Sequence, residues 1–162
     1  MMILKTFWRN KPQYTDNKSV LELKTDSFKY RTDLEIRFTD VDVMGHINSA
    51  VYFTYMEIGR TKYWKQAIQW NWNKTGVVIG KAENTYVNPI HLGDQISIYV
   101  RTSRIGHTSF DLEYIIVKQK NGKEMVCCKG KTSCVVVDYE TKRPVPIPER
   151  ERNKIIAFEQ LQ

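Results

Sequence analysis

"SAVYFTYMEIGRTKYWKQAI", Ser49 to Ile68, contains no proline and one glycine, and its apolar residues do not keep to one stripe. Ala50, Val51, Tyr52, Phe53, Tyr55, Met56, Ile58, Tyr63 and Trp64 occupy nearly every face of the helix that this stretch predicts. A surface helix keeps a polar side, whereas a helix apolar all round is buried. Asn48 or Ser49 can cap its start, since either side-chain oxygen accepts from an unpaired amide of the first turn. "QWNWNKTG" (69–76) ends it.

The sequence on either side of the helix reads as extended. "FKYRTDLEIRF" (28–38) alternates Leu34, Ile36 and Phe38 with polar Glu35 and Arg37, the period of a strand. Further strands are expected over 77–87, 95–104, 108–120 and 123–139, the last bent at Gly130. "NPIHLGD" (88–94) is a loop, Asn121-Gly122 is a hairpin signal, and 149–161 closes as a short helix. A helix without a polar side needs an antiparallel sheet curled around it, which makes the fold class α+β. So small a domain leaves part of such a helix uncovered, which points to a partner subunit. Residues 1–27, polar and interrupted by Pro12, read as an N-terminal extension, and 28–162 as a single domain without repeats or linkers.

A length of 162 residues, 41% hydrophobic and 27% charged, suits one globular domain with a real core. No apolar run approaches the ~18 residues of a membrane helix. The start, "MMILKTFWRNKPQ", lacks the apolar stretch and cleavage site of a secretory signal, so a cytoplasmic location is expected. Cys127, Cys128 and Cys134 agree: the adjacent pair should point to opposite faces of a strand, and there is no CxxC or metal-type spacing. The formal charge of +7 favours anionic partners. The basic residues are scattered, however, and neither a basic stripe nor a platform of stacking aromatics supports nucleic-acid binding.

The loop before the helix, "TDVDVMGHIN" (39–48), gathers two aspartates, a glycine, a histidine and an asparagine. "IRFTDVDVMGHINSAVYFTYMEIGR" (36–60) resembles the signature of the hotdog-fold acyl-CoA thioesterases related to hydroxybenzoyl-CoA thioesterase. That signature is an acidic D-x-D-x-x-G-H-x-N loop followed by a helix with Y-x-x-Y-x-E-x-x-R. It is met by Asp40, Asp42, Gly45, His46, Asn48, Tyr52, Tyr55, Glu57 and Arg60. "NTYVNPIHLGDQISI" (84–98), "SRIGHTSFDLEY" (103–114) and "CVVVDYETKRPVPIPERER" (134–152) resemble the family's later segments, in order, so the likeness runs from about residue 30 to 155. One departure is Ser49, where members often carry a second asparagine; a role for the backbone amide survives that change.

The resemblance implies a hotdog fold and hydrolysis of an acyl-CoA thioester to free acid and coenzyme A. It makes Asp42 the catalytic carboxylate, as general base or as nucleophile. It makes the N–H near Ser49 the group that polarises the thioester oxygen, and Gly45 the residue that lets the loop turn sharply. Each position also has a plainer reading. Asp42 can be only a turn former, Asp40 a structural bond to loop amides, His46 a hydrogen-bonded loop residue and Asn48 a cap. Glu57 either faces the site or forms a buried pair with Arg60, and Tyr52 belongs to the core or lines an acyl tunnel. Coenzyme A phosphates have strand candidates in Arg101, Arg104, Lys118, Lys129 and Lys131, and Ser109 is a candidate near the pantetheine. Asp40, Asp42 and His46 make a poor metal set, so no metal is expected, and no cofactor, coenzyme A being part of the substrate. The implied assembly is a homodimer with one continuous sheet, or a homotetramer. Two other readings stay open: a thioesterase for acyl groups on an acyl carrier protein, and a non-catalytic acyl-CoA-binding protein.

Overall fold

The apolar stretch is a helix, α1 (Val51–Tyr63), whose end widens into one π-helical turn over Trp64–Ile68 and stops at Gln69 in the left-handed region. The computed structural model describes residues 23–161. Among these residues five strands follow the helix's logic: β1 (Tyr30–Leu34), β2 (Thr75–Tyr86), β3 (Ile96–Ile105), β4 (Ser109–Lys120) and β5 (Lys123–Asp138). They form one antiparallel sheet in the order β1-β3-β4-β5-β2. A second helix, α2 (Glu149–Glu159), closes the chain. This is the expected α+β arrangement, a sheet on a central helix.

The core lies between α1 and one sheet face, where Tyr55, Met56 and Tyr63 meet Ile98, Val100, Leu112, Tyr114 and Ile116. The buried tyrosine hydroxyls are satisfied: Tyr63 donates to Glu159 Oε1 at 2.6 Å, and Tyr114 pairs with Thr132 Oγ1 at 2.8 Å. Gly59 permits the close approach of helix to sheet. A Cβ there would stand 2.9 Å from two methyl carbons of Ile98. Gly59→Ala is therefore expected to lower stability by up to about 2 kcal/mol, overpacking of ~1–3 less ~1 regained as helix propensity. Urea titration of the two proteins checks this.

The helix is not buried on all sides. Phe53, Thr54, Glu57 and Thr61 form an exposed stripe. Beside it runs the edge strand β2, with Val78 and Ile79 exposed by 48% and 36%. On the opposite sheet face a smaller cluster joins Leu23 and Phe28 to Ile115 and Val117. Leu23 and the 3₁₀ turn Thr25–Ser27 thus lie against the sheet, while the rest of the expected extension, residues 1–22, falls outside the described residues.

Two local expectations fail. The first strand stops at Leu34, and Phe38 starts a 3₁₀ turn with its ring 81% exposed, so the alternation through Ile36 and Phe38 does not continue as strand. The irregularity in β5 lies at Cys127, not Gly130. Ile116 pairs with Cys128 and Val117 with Val126, leaving Cys127 unopposed. That bulge defeats the strict alternation of faces, and Cys127 and Cys128 both enter the main core. Burial pushes the Cys127 and Cys134 thiols up to about 11, so they stay protonated and unreactive at neutral pH.

Candidate active site

After β1 the chain makes a tight excursion and returns to start α1. Val41 and Ile47 pair across it, Asp42 N–H donates to His46 O at 2.8 Å, and Asn48 N–H donates to Asp40 O at 2.9 Å. Gly45, at φ 75°, takes the reversal that a side chain would strain. Inside the turn Asp42 Oδ1 accepts from Met44 N–H at 2.8 Å and from His46 N–H at 3.3 Å. Asp42 Oδ2 has no hydrogen-bond partner among the described residues. Asp42 is half-buried, so one oxygen anchors the loop while the other is available.

The loop delivers the chain to α1 with its first amides unevenly used. Asn48 Oδ1 accepts from Ala50 N–H at 2.9 Å, a turn just ahead of the helix; the N-cap position is Ala50 and no side chain caps it, so neither Asn48 nor Ser49 is the cap that the sequence predicts. Val51 N–H donates to Asn48 O at 3.0 Å. The Ser49 N–H has no acceptor among the described residues, while its carbonyl accepts from Tyr86 Oη at 3.0 Å. A free amide at a helix start carries partial positive charge and favours an anion.

Asp40 is enclosed where Asp42 is half-buried. It is 2% exposed, and Oδ2 accepts from Tyr55 Oη at 2.9 Å and from Arg37 N–H at 2.9 Å. Oδ1 accepts from Arg37 Nη2 at 2.8 Å and Nε at 3.1 Å. Burial works to raise its pKa, but the Arg37 guanidinium and amide with the Tyr55 hydroxyl together hold the carboxyl below the usual range. Burial first, then the hydrogen bond to Asp40 and its charge, push the Tyr55 hydroxyl up.

The remaining predicted residues divide. His46 lies on the Asp42 turn, with its ring edge-to-face on His91 at 4.8 Å. Tyr52 is buried beside the helix start, its ring 5.0 Å from that of Tyr86, and burial raises its pKa. Glu57 is not buried: it lies on the uncovered stripe, 66% exposed, with Arg60 Nη2 3.7 Å away. A groove of about 230 Å³ there is lined by Phe53, Met56, Glu57, Arg60, Ile79 and Thr132. The strand cations stand elsewhere. Arg104 and Lys131 flank Asp111 at 2.8 and 3.5 Å, and Arg101 pairs with Glu113 at 2.7 Å. Lys129 and Lys131 sit opposite Ile115 and Glu113 in register, on the sheet face turned away from α1. Burial lowers the Lys129 pKa. Ser109 begins β4 at the end of the sheet remote from the Asp42 loop within this chain. Lys118, 8% exposed, is near the loop but engaged, donating to Asp94 Oδ2 at 2.8 Å and Pro89 O at 2.7 Å.

Residues that spacing did not reveal are His91 and Asp94. They lie in "NPIHLGD", which reads only as a loop, yet Ile47 N–H donates to Ile90 O at 2.9 Å and brings that loop against the Asp42 turn. Among the described residues no group of three or more His, Cys, Asp or Glu is arranged to hold a metal ion.

Set beside known protein families, the chain matches the model of the thioesterase-like superfamily over residues 36–155. A thioesterase from Thermus thermophilus, solved in complex with coenzyme A and Zn, is 32% identical, covering 85% of this chain and 98% of its own, with a TM-score of 0.71. The protein YsmA of Bacillus subtilis is 29% identical over 146 residues, 90% of this chain and 96% of its own. The chloroplastic acyl-acyl carrier protein thioesterase ATL3 of Arabidopsis thaliana is 27% identical over 135 residues, 80% of this chain and 68% of its own.

Proposed function

This chain belongs to the thioesterase-like superfamily, and from that premise we propose that it hydrolyses the thioester of an acyl-CoA, with Asp42 as the reacting carboxylate. The observation that carries the reading is the Asp42 turn. One carboxylate oxygen is fixed by two loop amides, the other is unengaged, and the same loop runs directly into a helix start with a free Ser49 N–H. In the proposed reaction the free oxygen takes a proton from water as the water attacks the acyl carbon, or attacks that carbon itself to give an anhydride that water then cleaves. The carbonyl oxygen, gaining charge, is stabilised by the Ser49 N–H; removal of one such donor in other enzymes slows turnover roughly 10²–10³-fold. The C–S bond breaks, the thiolate leaves, and the proton passes to it. No cofactor takes part.

The uncovered stripe of α1 and the exposed edge of β2 support a homodimer in which a second copy extends the sheet and closes the groove by Phe53. In this reading the groove takes the acyl group. No helix among the described residues is long and apolar enough to cross a membrane.

A carrier-linked substrate is the second reading, favoured by the likeness to an acyl-acyl carrier protein thioesterase and by the +7 charge facing an acidic carrier. Thiol release measured over a panel of acyl-CoAs, and over the same acyl groups on a carrier protein, tests both. Turnover of the CoA esters is the expected result. Turnover of carrier esters alone selects the second reading, and tight acyl-CoA binding without thiol release overturns hydrolysis.

A further inference from the structure

The Asp42 turn rests on a second loop, Val87 to Gln95, and that loop is unusually well rooted. Val87 and Asn88 N–H groups both donate to the bulged Cys127 carbonyl, at 2.7 and 3.1 Å. Asn88 Nδ2 donates to Val126 O at 2.6 Å. Lys118, rising from β4, binds Pro89 O and Asp94 Oδ2, and Asp94 Oδ2 in turn accepts from His91 N–H at 2.9 Å. The loop meets the Asp42 turn at two points: Ile47 N–H to Ile90 O at 2.9 Å, and His46 against His91 with ring centroids 4.8 Å apart and planes at 79°. His46 is the residue whose N–H holds Asp42 Oδ1 and whose carbonyl accepts the Asp42 N–H.

We propose that His91 is a positioning residue: its ring holds His46, and through the His46 backbone it fixes the orientation of the Asp42 carboxylate. The kinetic part of this inference rests on the thioesterase reading; the structural part rests on the contacts alone. The charges around the ring make it dependent on pH. Burial comes first in lowering the His91 pKa, the Lys118 ammonium and His46 add to it, and the Asp94 carboxylate opposes them. The ring is therefore neutral at neutral pH, when it can lie edge-to-face on its neighbour without repulsion. Protonation, below its ordinary value, places a cation on a half-exposed ring near Lys118 and His46, with Asp94 at 3.7 Å and solvent offsetting it in part. The clamp then loosens and turnover falls on the acid side.

The test compares wild type with His91→Ala and His91→Phe by two measurements: hydrogen exchange of the Met44 and His46 amides, and kcat and KM for thioester hydrolysis from pH 5 to 9. His91→Ala is expected to speed exchange of both amides and to lower kcat about tenfold, with KM within ~3-fold. His91→Phe keeps a ring but no proton, so it is expected to restore kcat to within ~3-fold at pH 8 and to flatten the acid limb. Wild-type exchange and wild-type kcat in His91→Ala overturn the proposal. So does a uniform loss of kcat at every pH in both variants with amide exchange unchanged. Should wild type release no thiol from any ester, the function proposed above fails separately, and amide exchange alone decides: faster in His91→Ala supports the clamp, and unchanged overturns it.

Discussion

Asp42→Asn is expected to cut thioester turnover by at least ~10²-fold while leaving fold and assembly intact. The substitution is nearly isosteric. Its side-chain carbonyl can still accept from the Met44 and His46 amides, which now hold Oδ1, so the loop keeps its shape. What is lost is the negative, basic oxygen that has no partner in the loop. An amide neither takes a proton from water nor attacks a thioester, and the free Ser49 N–H alone gives only the oxyanion share of the acceleration. The loss should fall on kcat, with KM little changed, because the group acts on the reacting atoms rather than on the bulk of the substrate. Thiol release by the purified variant, with melting measured beside it, decides the matter. Near-normal turnover in a folded Asp42→Asn protein removes Asp42 from the reaction and returns it to the plainer role of a turn former.

How far the sequence foretold this site depends on the range of the interactions involved. The helix was legible because burial on most faces is written in twenty consecutive residues, and the strands because alternation needs only a few. The loop was legible as a motif because its bonds reach only two to four residues, from Asp42 to Met44 and His46. The end of β1 was not, because Phe38 is apolar yet exposed, and exposure depends on what packs nearby. Glu57 misleads for the same reason: a neighbourhood of aromatic residues suggests burial, but Glu57 lies on the stripe that this chain leaves uncovered. Arg104 and Lys131 attract attention as cations on strands, yet both find Asp111 across the sheet, a pairing set by register between strands. His91 lies forty-five positions after His46, and bonds between distant segments, the Ile47–Ile90 bond among them, bring the two rings together. The bulge at Cys127 has no mark in the sequence; its carbonyl is fixed by amides of a different loop.

Asp40, two residues before Asp42, is expected to answer the opposite way: its removal should cost stability and leave the chemistry of each folded molecule largely intact. Asp40→Ala strands the Tyr55 hydroxyl in a core where Tyr55 has no exposure, and releases the Arg37 N–H. Arg37 is exposed, so water can take up its N–H, and the cost is that of the one buried hydroxyl, about 1–3 kcal/mol. Nothing is credited to the exposed Arg37 guanidinium, whose pairing water screens. Asp40→Asn should lose less, since an amide oxygen can still accept from Tyr55. The pH dependence follows from the sign of the shift. A carboxyl held below its ordinary range stabilises the fold above its unfolded pKa of ~3.9, and that stabilisation is lost as pH falls through the lower, folded value. The gap in unfolding free energy between wild type and Asp40→Asn should therefore be full at pH 7 and close progressively below about pH 4. Urea titrations at several pH values measure it. A gap that widens on acidification contradicts the depressed carboxyl, and a stable Asp40→Asn protein that no longer turns over thioesters moves the reacting role from Asp42 to Asp40. The two aspartates are thus separable by experiment because the loop gives them different surroundings: one is enclosed and fully bonded, the other keeps an oxygen free at the start of a helix.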